Sequence, residues 1–533
     1  MLVVAIVEAD RHRRRGLSEG RSRLRAMAAA AGLSALLMLP PSAGHGNGWE
    51  HGAVPLTALL VALSSEDPGL RARAAESLGH RGQREAVQPL LAAWTKPEPQ
   101  EEVRGAIVAA LGRLGDRAAL PALVDCLADE REDRVRGSCA AALGAIGDPT
   151  VLPALFAALD GDPSVLVTAE TVDALGGFSM PDTLDRLAAI ARGADPALAM
   201  RAVSALGRTG AAEAAEPLLS ALARAETTEE RARAVEALGR LGQPIAVAPL
   251  ARLLEETTEP ALKIRIAVAL GAIREGSARP SLVALLAEPV PAVQWYALDA
   301  LAALEDRTAV PDLIAYAHHL AAARRGRSIE DFTSEPESIL ADLSLEVRAL
   351  ALLAELDGPA ALDLFLDAAA PVSVRRDSAA GVALANGFYQ LRRAALYGLA
   401  YTREPERAGA LLIGPAGIGD PDPRLRAVAL RSLAVLGAPG AVDAALASLG
   451  DDAPETRWTA AMVLGRLGDP RAEDPLISAL VDPHGEVRRQ AAASLGFLGA
   501  VAAKPALELL AASDPRSSVR AEAAAALKVL AGG

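Results

Sequence analysis

The chain has 533 residues, a net charge of −13, and four Trp, five Tyr and six Phe as its only aromatic side chains. Ala, Leu, Arg and Gly dominate, so bulky side chains are too few for the thick cores of several ordinary globular domains, whereas thin layers of Ala and Leu suit the composition. A strongly acidic balance repels phosphate backbones and anionic lipid, which makes nucleic acid and membrane surfaces poor partners.

Residues 1–44 differ from the rest. Arginines in "RHRRRGLSEGRSRLR" precede the apolar run Ala26 to Leu39 and then "PPSAG". That order, with an apolar run too short to span a bilayer comfortably and the small residues Ser42 and Gly44 after it, predicts an export signal. "RRRGL" is a loose fit to a twin-arginine signal. Cleavage near residue 43 leaves 47 basic against 64 acidic side chains, so the mature chain is more acidic still. The expected location is periplasmic or extracellular if the signal acts, and cytoplasmic otherwise. Residues 45–53, "HGNGWEHGA", read as a Gly-rich spacer, with His45 and His51 in it. No later apolar run has the length of a transmembrane helix.

From about residue 54 one phrase recurs. "ALGRLGD" at 110–116 returns as "ALGAIGD" at 142–148, "ALGRLGQ" at 237–243 and "VLGRLGD" at 463–469. The Leu of its "LG" pair stands at 78, 111, 143, 175, 206, 238, 270 and 301, then at 399, 433, 464, 495 and 527. Pro89, Pro121, Pro153, Pro217, Pro249, Pro280 and Pro311 fall in a second register. A sustained period near 32 residues predicts an array of helical hairpins. In "VRGAIVAALGRLG", Val103, Ala106 or Ile107, Ala110, Leu111 and Leu114 share one side at helical spacing, which makes this the second helix of a hairpin. Gly115 suits the left-handed residue that ends it, and Asp116 can cap the next helical turn. In "GDPRAEDPLISAL", Pro475 falls in a first helical turn and Leu476, Ile477 and Leu480 form the next stripe.

The pattern DxxVRxxAAxALGxLGDxxAxPxLxxxL resembles the short bacterial HEAT repeat of the phycobilisome-lyase type over nearly everything after residue 54. The resemblance implies an all-α, HEAT/armadillo-like solenoid, here of about 14 hairpins, with second helices lining its concave side. It also implies that the recurrent arginine of "VR" (Arg71, Arg104, Arg136, Arg426, Arg457, Arg488, Arg520) is structural, paired with loop acids of a neighbouring repeat.

Regular units are expected over 54–317 and 425–533, with irregular ones over 318–424. Three stretches break the rule there: 318–345 reads as a polar insertion between units, 371–401 as a distorted unit, and 402–424 as a first helix replaced by Gly and Pro. Nine aromatic residues, including every Tyr, lie between 295 and 401. On a second helix, positions five before, two before and two after the anchoring Leu fall on the arc opposite the buried stripe. Tyr296, Tyr397, Tyr401 and Phe497 occupy such positions, with Trp295 and Trp458 one step round. Rings there either fill irregular packing or anchor an interface. The same positions in preceding units hold Arg201, Arg208, Arg233, Arg240 and Arg265, either as solvated partners of acids such as Glu236 or as a strip that draws in an acidic segment.

Enzymatic patterns are scarce. No His is followed by Glu, as a di-iron site of the deoxyhypusine hydroxylase type would need, and no GxSxG, HExxH or GxxxxGK[ST] occurs. His318 and His319 are adjacent and point to different sides of a helix, a poor metal pair. No cofactor or metal is expected. The two cysteines cannot make a disulfide scaffold. Cys126 late on a first helix and Cys139 inside a second could touch, and export would permit oxidation. Cys139 stands where other units carry Ala, however, so two free thiols packed as small apolar residues are expected. The sequence therefore points to a monomeric, non-enzymatic scaffold that binds a protein partner in its groove through Arg201, Arg208, Arg233, Arg240, Arg265, Trp295, Tyr296, Tyr397 and Tyr401. A phycobilin-lyase-like or chromophore-binding role is the alternative that the resemblance implies.

Overall fold

The computed structural model describes residues 54–327, 336–372, 374 and 378–532. The export signal and Gly-rich spacer expected over 1–53 lie outside the described residues. Those described are helical with short turns and contain no strand. They form fourteen helical hairpins, from Leu56–Ala62 with Pro68–Arg81 to Lys504–Ser513 with Ser517–Gly532. Two compact units divide between Leu241 and Gly242. Within each, every second helix packs on its own first helix and on the next second helix.

A hairpin grows out of its sequence step by step. Glu101–Leu114 buries Val103, Ile107, Leu111 and Leu114, and Gly115 then turns at φ 64. The Asp116 carboxylate accepts from the Ala118 amide at 2.9 Å, which caps a single 3-10 turn before Leu120–Asp129 begins with Pro121 in its first turn. Asp148, Asp306 and Asp469 cap the same turn in other units. Two units put Arg274 and Glu305 in the left-handed position instead of Gly, and these two side chains pair across the repeat at 2.6 Å.

The repeated "ALG" acquires a physical reason in the stacking of second helices. A Cβ on Gly112 would lie 2.8 Å from Ala142 Cα, and the same clash faces Gly79 against Ala110, Gly144 against Ala174, Gly207 against Ala237 and Gly271 against Ala300. The Gly of one unit thus admits the Ala of the next, while the Leu between them is buried in the core. Neither residue tolerates bulk, and both recur. Gly398 admits a different guest: the ring of Phe365, the largest fully buried side chain, occupies the space a Cβ would need.

The "VR" arginines form a clamp. Arg136 donates from Nε to Asp162 Oδ2 at 2.7 Å and from Nη1 to the Glu130 and Arg131 carbonyls at 2.8 and 3.0 Å. Arg71, Arg426, Arg457 and Arg488 repeat this geometry on Glu98, Asp451, Asp482 and Asp514. Arg104 pairs with Glu130 and lies over the Trp94 ring. The Arg136 hydrogen bond holds the Asp162 carboxyl below its usual range, and Arg488 does the same to Asp514.

Four expectations need correction. The described parts of 318–345 belong to one hairpin: 318–326 complete the first helix Val310–Gly326, Arg327 caps it, and 336–345 open the 22-residue second helix Pro336–Asp357. Residues 371–401 supply another long second helix, Ala379–Leu399. Residues 402–424 keep a first helix, Pro405–Ile413, succeeded by a Gly-rich loop against which Arg392 is buried, paired with Asp420. Among the described residues, lengthened second helices preserve stacking while stretching the period, which the sequence pattern registers as a break. Finally, Cys126 and Cys139 are joined by a disulfide, with Cα atoms 6.2 Å apart, so the expected free thiols are absent. The two helices of one hairpin hold both residues at the same height above the turn, which outweighs the analogy with Ala.

Candidate functional site

Among the described residues no three His, Cys, Asp or Glu group to hold a metal ion, and no helix is long and apolar enough to cross a membrane. His318 and His319 are both exposed. The fold does present the solvent side of its second helices.

In the unit ending at Leu241, Arg201 pairs with Asp173, and Arg208 donates to the carboxylate and carbonyl of the same Asp173 at 3.0 and 2.9 Å. Arg233 donates to Glu229 one turn earlier at 2.9 Å. Arg240 is exposed, with no ion pair among the described residues. Three of these four arginines therefore hold carboxylates of their own or the preceding second helix, as in ordinary helical pairing.

The unit beginning at Gly242 carries Arg265 and the rings. Arg265 is exposed on Pro260–Ile273. Tyr296 on Pro291–Leu304 is exposed, with Trp295 beside it half-buried. Tyr397 and Tyr401 form a pair: the Tyr401 hydroxyl donates to Tyr397 Oη at 2.7 Å, with ring centroids 5.1 Å apart. That bond, with some burial, pushes the Tyr401 phenol up to about 12. Pro336–Asp357 separates the two groups of rings, and Arg348 on it donates to Asp299 near Tyr296 at 2.7 Å. Tyr316 is different, since it is buried and donates to Gln294 Oε1 at 3.0 Å. Phe497 is 81% exposed, which packing alone does not explain. All four exposed rings among the described residues lie in this one unit: Tyr296, Tyr397 and Phe497 occupy the outward register of second helices, and Tyr401 stands in the turn just past Leu399, bonded back to Tyr397.

Arg431 and Arg466 escaped the sequence expectation. They stand two before Leu433 and two after Leu464, at outward positions the periodicity itself defines, but the neighbouring rings masked them as the distinguishing feature of these repeats.

The sequence model described as HEAT repeats matches residues 56–144, 134–206, 152–238, 184–263, 215–293 and 442–528, more than half of the chain. The chain belongs to the HEAT-repeat family. A second model, the PBS lyase HEAT-like repeat, matches residues 293–319 of this HEAT-repeat protein. No curated protein matches it. Among solved structures it is similar to the CpcE–CpcF complex of phycocyanin lyase from Nostoc sp. PCC7120, at 24% identity over 46% of this chain and 96% of that one, TM-score 0.33. It is also similar to yeast importin-beta (Kap95p), at 12% identity over 91% and 85%, TM-score 0.43, and to human deoxyhypusine hydroxylase, at 26% over 48% and 97%, TM-score 0.23. These likenesses concern helical-repeat architecture and assign this HEAT-repeat protein neither a partner nor a reaction.

Proposed function

We propose that the protein is a non-enzymatic scaffold that holds a partner polypeptide on the outward face of its second helices, chiefly in the unit beginning at Gly242. The observation that carries this reading is that, among the described residues, every exposed ring lies in the outward register of a second helix or, for Tyr401, in the turn that ends one. Tyr and Phe exposed on a rigid helical support lose little freedom on binding and bury large area, as interface anchors do. Arg201, Arg208 and Arg233 enter the proposal with their charges shared with carboxylates, and Arg240 with its charge open. Trp295, Tyr296 and Arg265 extend the face towards the start of the unit. Export belongs to the same proposal, since a disulfide persists in oxidising compartments.

Photo-cross-linking tests it. A benzoylphenylalanine replacing Tyr397 or Phe497 should capture a polypeptide from an extract of the native source, whereas one replacing Leu509, also exposed but on a first helix, should not. Equal capture from all three positions would refute the assignment. The lyase-like alternative is favoured by the 293–319 match alone. It requires that the purified protein take up a bilin and shift its absorbance.

A further inference from the structure

The second helices Ala379–Leu399, Pro423–Leu436, Pro454–Leu467 and Gly485–Leu498 stack in succession and between them carry nine arginines against two acids, Glu455 and Glu486. In a chain of net charge −13 that is a sharp local reversal. Six of the nine are spoken for: Arg392, Arg424, Arg426, Arg457, Arg488 and Arg489 all pair with carboxylates. Arg393, Arg431 and Arg466 have no hydrogen bond or ion pair among the described residues. One stands on each of three consecutive helices, Arg393 and Arg466 exposed and Arg431 half-buried between them.

The three feel one another. Burial pushes the Arg431 guanidinium below its ordinary range, and the charges of Arg393 and Arg466 push the same way, against Glu455 and the Tyr389 phenol. A half-buried cation flanked by two more, and bonded to no carboxylate among the described residues, is a site that gains when a carboxylate arrives. Beside it run the exposed apolar positions: Tyr401, Val435 and Phe497 stand two after their anchoring leucines, in register with Arg466, and Tyr397 stands two before, in register with Arg431.

We infer that this face binds an acidic polypeptide segment that carries apolar or aromatic side chains between its carboxylates, with Arg393, Arg431 and Arg466 receiving the charges and Tyr397, Tyr401, Val435 and Phe497 the apolar groups. The inference rests on the scaffold reading and names the partner's chemistry. Packed helices lie about 8–10 Å apart and an extended chain advances about 3.3 Å per residue, so carboxylates roughly three residues apart would match successive helices. A continuous phosphate backbone fits less well, because the clamp acids Asp451 and Asp482 stand in the loops that open Pro454–Leu467 and Gly485–Leu498.

The test selects displayed random peptides on the full-length protein and measures binding of the winners to variants that keep the parent's circular dichroism. Enriched peptides should be acidic and apolar. Arg466→Glu, and independently Arg431→Gln, should each weaken them at least tenfold, while Arg252→Glu, an exposed arginine on the first helix Val247–Glu256, should not. Winners indifferent to both arginine variants but lost with Tyr397→Ala and Phe497→Ala would overturn the acidic partner and leave the scaffold face standing. Winners indifferent to all four variants would overturn both. A 20-nucleotide single-stranded DNA that binds more tightly than the peptides, and is lost with Arg466→Glu, would replace the polypeptide by nucleic acid.

Discussion

Gly112 carries the repeat's most demanding contact. A methyl group there would press on Ala142 backbone and side chain at 2.8 Å, whereas Gly105, seven residues earlier in the same helix, has nothing within 4 Å of its missing Cβ. One substitution type should therefore have opposite outcomes at the two positions. Gly112→Ala should destabilise by about 1–3 kcal/mol through overpacking, and Gly105→Ala should stabilise by about 0.5–1 kcal/mol through helix propensity. Urea unfolding of the two variants measures the difference, and equal effects would dissolve the ladder. The sequence displayed the residues of this ladder plainly, since period and spacing survive translation into a single letter string. It did not display which Ala meets which Gly, because that pairing depends on how far one helix slides along the next. The exposed rings were readable by the same periodicity. The carboxylates that occupy Arg201 and Arg208 were not, because Asp173 reaches them from the preceding repeat.

The hairpin is the smallest element with its own chemistry. Cys126 and Cys139 bridge the two helices of the third hairpin across 13 residues of sequence. A loop of that size constrains the unfolded chain by about 3 kcal/mol. Replacing both cysteines by Ala should therefore lower stability by about 2–3 kcal/mol, and thiol titration of the unreduced, denatured parent should find no free thiol. Two titratable thiols would remove the bridge. The clamps impose a pH dependence on successive hairpins. Asp162 and Asp514 have folded pKa values below their unfolded ones because Arg136 and Arg488 bond the ionised form. Their stabilising contribution is complete above the unfolded value of about 3.9 and is lost as pH falls through the folded value. Thermal unfolding should thus be insensitive to these groups near neutral pH and become easier below about pH 4. Arg488→Met should lower stability at neutral pH and flatten that acid limb, and a limb of unchanged steepness would show that the clamp acids do not drive it. At Pro336–Asp357 and Ala379–Leu399, where the sequence pattern reads as an insertion and a distorted unit, the second helices lengthen to 22 and 21 residues. A period-based reading detects a repeat by its interval, and longer helices change the interval without breaking the stack.

Across the molecule, repetition has built surface more than interior. The buried residues are dominated by Ala, Leu and Val in thin layers, and units differ from one another in the side chain at each outward position of the second helix. Those positions run from paired arginines in the unit ending at Leu241 to rings and open arginines in the unit beginning at Gly242. If the latter face is where a partner rests, amide hydrogen exchange of the full-length protein, with and without the polypeptide captured by cross-linking, reports it directly. Added protection is expected over the second helices Ala379–Leu399, Pro423–Leu436, Pro454–Leu467 and Gly485–Leu498, with the first helices Pro405–Ile413, Ala441–Ser448 and Glu473–Ala479 unchanged. Protection confined to those first helices, or confined to the unit ending at Leu241, would contradict it.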